Sequence, residues 1–300
     1  MASDKICCTE AVEQKGWWRA YKWVLLRRVS QLSVLLLFLA GPLWGLWLLK
    51  GNMAASLVLD TVPLTDPHIL LQSLASGAAP ELVAFVGAAL VLAFYALVGG
   101  RVFCSWVCPV NMVTDAACCL RRTLGIRAKS QISRNTRYWM LGLTLALPLV
   151  TGSIVWELVN PVSLTFRGII FGVGLAWVVL LGIFLFELLV AEHGWCGRLC
   201  PVGAFYGLVG SKSLVRVVAD RRDKCDDCMD CFRVCPEPQV IKPALKGADK
   251  GIGPVISSRE CTNCGRCIDC CPEDVFRFGS RFVDADVIGG TTPAKRASGA

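Results

Sequence analysis

Apolar residues along the chain gather into four runs, at 29–49, 82–98, 138–158 and 169–191. Each is close to the roughly 20 helical residues needed to cross a hydrocarbon core of about 30 Å. They predict four transmembrane helices in a domain over 29–212, preceded by a basic segment 1–28. From 213 the long apolar runs stop, and 213–285 reads as a small α+β domain with a short β-α-β-β-α-β pattern. In it Val255-Ile256 and Phe276-Arg277-Phe278 supply strands, and 286–300 reads as a flexible tail.

Composition agrees with a membrane protein that carries basic aqueous parts: 54% of 300 residues are hydrophobic, yet 31 are Lys or Arg, and the mean hydropathy is +0.54. The cations are unevenly placed. Lys5, Lys15, Arg19, Lys22, Arg27 and Arg28 precede the first run, and Arg101, Arg121, Arg122, Arg127, Lys129, Arg134 and Arg137 lie between the second and third. The other two connections offer only Lys50 and Arg167. The positive-inside rule therefore predicts a multi-pass protein with both termini in the cytoplasm, its cations facing membrane lipid, with no nucleic-acid partner. Arg27-Arg28 reads as an inside anchor and not an export signal, because the run after it is a full span with no small-x-small cleavage site.

Seventeen cysteines in a secreted chain would suggest disulfides. On a cytoplasmic face, where thiols are kept reduced, they point to metal or redox chemistry. Two runs are specific: Cys225-x-x-Cys228-x-x-Cys231-x-x-x-Cys235-Pro236 and Cys261-x-x-Cys264-x-x-Cys267-x-x-x-Cys271-Pro272. At this spacing three thiolates of a tight loop reach three iron corners of a cubane, and the fourth cysteine serves the other cluster. The expected ligand sets are Cys225, Cys228, Cys231 and Cys271 for one [4Fe-4S] cluster, and Cys261, Cys264, Cys267 and Cys235 for the other. Zinc knuckles would account for only two thiols each. Cys270 reads as a spectator. So few long apolar segments remain in this domain that the clusters must hold much of it together.

A second cysteine pattern, Cys-x-x-x-Cys-Pro, occurs at Cys104/Cys108 and again at Cys196/Cys200, each cysteine recurring after 92 residues. In a helix, residues i and i+4 share a face, and the following proline disfavours an unbroken helix. Each motif ends an apolar run and follows an Asx-Pro, Asp66-Pro67 or Asn160-Pro161, which reads as a capped helix start. The membrane domain thus reads as two pseudo-repeated helix pairs that bring four thiols together at their inner rim. Three roles fit those thiols: a further metal or cluster, a dithiol–disulfide pair, or packing. The adjacent pairs Cys7-Cys8 and Cys118-Cys119 have no ligand spacing and read as incidental.

The motif order, with residues 49–56, 60–67 and 95–109, resembles the NapH family, the ferredoxin-type membrane subunit of periplasmic nitrate reductase systems. The resemblance covers roughly residues 20–285. It implies oxidation of ubiquinol or menaquinol from the quinone pool in the bacterial inner membrane. Electrons would pass to a periplasmic ferredoxin-type subunit, a multihaem cytochrome and then nitrate reductase. A site for quinol needs an ionisable group at membrane depth, where such groups are rare; His68, Asp60, Asp66 and Glu187 are the candidates. The alternative is an assembly or maintenance factor whose soft CxxxCP thiols reduce or hand on copper.

Overall fold

The computed structural model describes residues 8–126, 132–172 and 174–282. Cys7 and the tail 286–300 lie outside them. The first apolar run belongs to a 28-residue helix, Trp17–Trp44, which ends where Gly45 turns left-handed (φ 73°). Among the described residues this is the helix both long and apolar enough to cross a bilayer. The helix thus starts and stops earlier than the apolar run suggests, and the end of that run, Leu49–Gly51, becomes a strand.

The second run forms Leu82–Val98. The third forms Thr136–Thr151 and is stopped by Gly152 at φ 64°; Val155–Val159 is a separate short turn of helix. The fourth is divided at Gly172 (φ 66°) into Pro161–Phe171 and Gly174–Leu185. The latter passes directly into a π-helical turn, Phe186–Val190. Hydropathy averages over a glycine, whereas the backbone at left-handed φ ends a helix there.

Leu49–Gly51, Ala55–Val58 and Val62–Thr65 form an antiparallel three-stranded sheet, with Leu49 opposite Val58 and Val58 opposite Val62. It lies against Leu82–Val98 so closely that a Cβ on Gly87 would stand 2.8 Å from Thr65 Oγ1. The sheet leads into a short helix, Pro67–Ala75, started as the sequence predicts: Asp66 accepts from His68 N (2.9 Å) and Pro67 opens the first turn. Asn160 caps the matching helix by accepting from Val162 N (3.1 Å).

In the C-terminal domain Val215–Ala219 pairs antiparallel with Phe276–Ser280, Val217 opposite Phe278. Val255 adds only an isolated bridge to Val218. Two strands and a bridge replace the expected four, because the stretch between the cysteine runs forms helical turns at Pro238–Val240, Ile241–Lys246 and Ala248–Lys250. Val217, Val240, Ile241, Ile256 and Phe276 pack with those cysteines in one core.

The N-terminal segment does more than anchor. Thr9–Lys15 and the start of Trp17–Trp44 fold back on the C-terminal domain, where Asp269 accepts from Trp23 N (3.1 Å) and Val24 N (2.9 Å). Burial pushes the Asp269 carboxyl up to about 6, against the pull of those two donors. Trp23 meets Phe278 edge-on at 4.6 Å, and Lys15 pairs with Asp274 at 2.7 Å. Here Cys8 and Cys270 come together, Cα to Cα 4.6 Å. The fold-back buries both in one small core with Ala11, Ala20 and Val234.

Candidate iron-sulfur centres and the thiol rim

The two ferredoxin-type runs wind alike. Asp227 and Met229 in the first, and Asn263 and Gly265 in the second, sit at positive φ at matching places in the two loops. Left-handed residues curl a loop so that it wraps a central group. Each loop ends in a short helix, Asp230–Val234 or Arg266–Cys270, started just before its third cysteine.

Two enclosed cavities result. Cys225, Cys228, Cys231 and Cys271 line one, with Phe232, Leu245 and Phe276. Cys235, Cys261, Cys264 and Cys267 line the other, with Val217, Ile241 and Ile256. Each cavity thus receives one cysteine from the opposite run. Burial first, and then the neighbouring Cys271, Cys228 and Cys225, push the Cys231 thiol up to about 12. Such a set is costly to ionise on its own and needs a cationic partner, which suits an iron-sulfur group.

Neither CxxxCP motif is α-helical. Phe103–Val107 and Trp195–Leu199 are π-turns, closed by Cys108 N to Phe103 O (3.0 Å) and Cys200 N to Trp195 O (2.9 Å). Cys108 and Cys200 are both extended, as a residue before proline prefers. A carboxylate supports the second turn: Glu187 accepts from Gly194 N (3.0 Å) and Trp195 N (2.9 Å). The first is braced by Gln31 Nε2, which donates to Ser105 O (3.0 Å) and Cys108 O (3.2 Å).

The four thiols lie within charge–charge reach of one another. Backbones meet beside them: a Cβ on Gly100 would fall 1.6 Å from Tyr206 O, and one on Gly210 would fall 2.0 Å from Gly100 N. Only glycine permits that approach.

This rim is fastened to the second cysteine run. Arg101, 4% exposed, donates to Glu260 O (2.6 Å), Glu237 Oε1 (3.3 Å) and Cys196 O (3.2 Å). Arg137 donates to Gly197 O (3.2 Å), Glu237 Oε1 (3.4 Å) and the Glu260 carboxylate. Ser105 Oγ reaches Thr262 O at 2.7 Å, and Trp106 Nε1 reaches Asn263 O at 3.0 Å. Both carbonyls belong to the loop between Cys261 and Cys264. A parallel seam joins Asp115 to Arg28 (2.5 Å), Arg27 (3.8 Å) and Arg266. Burial alone would raise the Asp115 carboxyl, but Arg266, Arg27 and Arg28 hold it well below the usual carboxylate range.

The structure separates the four quinol-site candidates. Asp60 is exposed in the turn between Ala55–Val58 and Val62–Thr65 and pairs with Lys50 (2.5 Å). Glu187 stands under the second π-turn. His68 and Asp66 remain together: His68 is fully buried, with Nε2 3.3 Å from Thr144 Oγ1 and Nδ1 3.1 Å from Gln72 Nε2. Phe205 (5.6 Å) and Trp156 (6.5 Å) enclose its ring. Tyr206 Oη donates to Asp66 Oδ1 at 3.5 Å, while its ring stacks on Phe103 at 5.0 Å, the residue before Cys104. Gln31, Arg101, Arg137 and Tyr206 were not singled out from the sequence. An arginine next to a thiol motif and a tyrosine six residues after Cys200 were the available signals.

A family described as a 4Fe-4S binding domain matches twice, at 81–127 and 173–217, over the two CxxxCP motifs. A 4Fe-4S dicluster domain family matches 224–275. The chain is 51% identical over 280 residues to the ferredoxin-type protein NapH of Haemophilus influenzae, covering 93% of this chain and 97% of that protein. It is 51% identical over 273 residues to NapH of Escherichia coli, covering 91% and 94%. It is 53% identical over 272 residues to the methylamine utilization ferredoxin-type protein MauN of Methylorubrum extorquens, covering 91% and 94%. No solved structure matches. Two cysteine-walled cavities, a duplicated thiol rim and this similarity over nearly the whole length agree: the chain belongs to the NapH family of ferredoxin-type electron-transport proteins with 4Fe-4S domains.

Proposed function

We propose that the protein is a quinol-oxidising electron conduit, held by four spans in the bacterial inner membrane with both termini cytoplasmic. In this reading Cys225, Cys228, Cys231 and Cys271 hold one [4Fe-4S] cluster, and Cys235, Cys261, Cys264 and Cys267 hold the other. The clusters supply one-electron redox steps. Cys104, Cys108, Cys196 and Cys200 form a further metal or cluster site between them and the membrane. Quinol oxidation releases two protons with two electrons, and His68 with Asp66 are the buried groups placed to take the protons. Electrons then pass toward a periplasmic ferredoxin-type subunit, a multihaem cytochrome and a nitrate reductase system.

The observation that carries this reading is the position of Tyr206. Its hydroxyl reaches Asp66 and its ring stacks on Phe103 beside Cys104, while Arg101 ties the same rim to the carbonyl of Glu260, next to Cys261. Packed side chains therefore join the buried acid and histidine to the second cluster loop. The test is to add a quinol analogue to the full-length protein in bilayer discs and record the EPR spectrum of the clusters. Quinol-dependent reduction that disappears in a Cys104→Ser/Cys200→Ser variant whose two ferredoxin-type clusters are still reduced by dithionite is expected. An unchanged spectrum, with copper bound at the rim, favours the maintenance role instead.

The 53% identity to MauN favours a second placement of the same conduit, in methylamine utilization. Growth of a deletion strain on nitrate as electron acceptor, against growth on methylamine, separates the two.

A further inference from the structure

Cys118 belongs to neither the ferredoxin runs nor the thiol rim. It sits in the helix Val110–Thr123 and is 2% exposed. Its Sγ lies 3.8 Å from His193 Nδ1 and 3.8 Å from Glu187 Oε2. His193 is held at φ +51°, a conformation that costs a non-glycine residue about 1 kcal/mol or more. The ring is 93% buried by its 7% exposure, and its Nε2 has no hydrogen-bond partner. Glu192 completes the group with Oε1 4.0 Å from His193 Nε2. That same Oε1 receives Arg122 Nε (2.8 Å) and Nη2 (2.5 Å), so Arg122 holds in place the carboxylate oxygen nearest the ring.

One donor atom each from Cys118, Glu192 and His193 lies within 4.8 Å of the others. Among the described residues this is the group of cysteine, histidine and carboxylate donors drawn that tight; the ferredoxin sets and the CxxxCP rim are not. A cubane spreads its thiolates, whereas a single ion with bonds of about 2.0–2.3 Å draws its ligands together.

We propose that Cys118, His193 and Glu192 form a mononuclear site for a divalent transition metal of the zinc type. A sulfur, an imidazole nitrogen and a carboxylate oxygen are the donor set such an ion takes, with Arg122 as the outer partner that aims the carboxylate. Binding displaces the Cys118 thiol proton, which leaves to solvent. The ion enters by a cleft of about 890 Å³ that Glu192 and His193 line together with Arg134, Arg198 and Cys235. Its role is to clip the two repeats at their cytoplasmic end. Cys118 follows the first CxxxCP and His193 precedes the second. Thr114, one turn before Cys118, lies 3.7 Å from Cys196 Sγ. The site does not depend on quinol chemistry.

The test is zinc content and zinc-edge X-ray absorption of the purified full-length protein with its iron in place. Stoichiometric zinc with a single sulfur among nitrogen and oxygen neighbours is expected. In Cys118→Ser the sulfur contribution should vanish with iron content unchanged, and in His193→Ala zinc affinity should fall more than about tenfold. Zinc below stoichiometry, or a shell made mainly of sulfur that persists in Cys118→Ser and disappears in Cys104→Ser/Cys196→Ser, overturns the proposal. The coordination shell of the unaltered protein decides the matter even where a variant fails to fold.

Discussion

The chain duplicates a cysteine motif on two scales, and the two duplications are built differently. The ferredoxin-type runs repeat their backbone turns, with left-handed positions at Asp227 and Asn263 and again at Met229 and Gly265. They exchange their fourth cysteines and so interlock. The CxxxCP pair repeats as two π-turns that are tied to one another through Arg101, which donates to Cys196 O, and through the close backbone approach at Gly100 and Gly210. A motif that must enclose a rigid group fixes every dihedral of its loop. A motif that ends a helix fixes only its hydrogen-bonded turn and the extended residue before proline.

The contrast can be broken most severely by removing iron. Chelation under reducing conditions should unfold 213–282, seen as loss of amide protection in Val215–Ala219 and Phe276–Ser280, while Trp17–Trp44 and Leu82–Val98 keep theirs; protection that survives in both regions defeats the idea that metal holds the smaller domain.

Next in size is the seam between the regions. Arg101→Ala leaves Glu237 buried beside a weakened partner, and loss of one member of a buried pair costs about 3–5 kcal/mol. Thermal unfolding followed by tryptophan fluorescence for the helical region, and by visible absorbance of the clusters for the smaller domain, should show the two regions melting separately. A single unshifted transition would mean that Arg101 is not the fastening.

His68→Ala is expected to be milder for the fold and specific for one side of the comparison. Reduction of the clusters by quinol should slow by about 100-fold or more, the low end of the range for a proton-transferring group, while reduction by dithionite is unaffected. Equal slowing by both reductants would place the effect on the clusters.

The smallest effect is electrostatic. Because Arg266, Arg27 and Arg28 depress the Asp115 carboxyl, its contribution is fully present above the ordinary carboxylate value of about 3.9 and is lost as pH falls through the lower folded value. Asp115→Asn should flatten that acid limb in hydrogen exchange at Arg266–Cys270; an identical limb in the variant assigns it to other carboxylates.

The cysteine grouping at the two cavities was legible because cubane geometry dictates the spacing, whatever the surrounding fold. The helix caps at Asp66 and Asn160 were legible for a similar reason, since a cap is decided within three residues. What the sequence hid was whatever depends on distant neighbours. Cys8 and Cys270 are 262 residues apart, and no local pattern pairs them. Arg101 and Arg137 read only as cations that set the orientation, yet both are buried ion-pair partners of Glu237. His68 reads as a loop histidine, but Gln72 and Thr144 enclose it completely. The i,i+4 spacing of CxxxCP reads as an α-turn, and only the supports at Gln31 and Glu187 show why the wider turn holds.

The exchange of cysteines between runs also sets a timetable for biogenesis. Neither cavity is walled by a single run: one requires Cys271, and the other joins Cys235 to a loop that begins at Cys261. A chain emerging from the ribosome at about 5–20 residues per second delivers every apolar run before it delivers Cys261. Metal loading is therefore a late event, carried out on a polypeptide whose apolar runs have all been made, and a truncation just short of Cys271 leaves an incomplete cage.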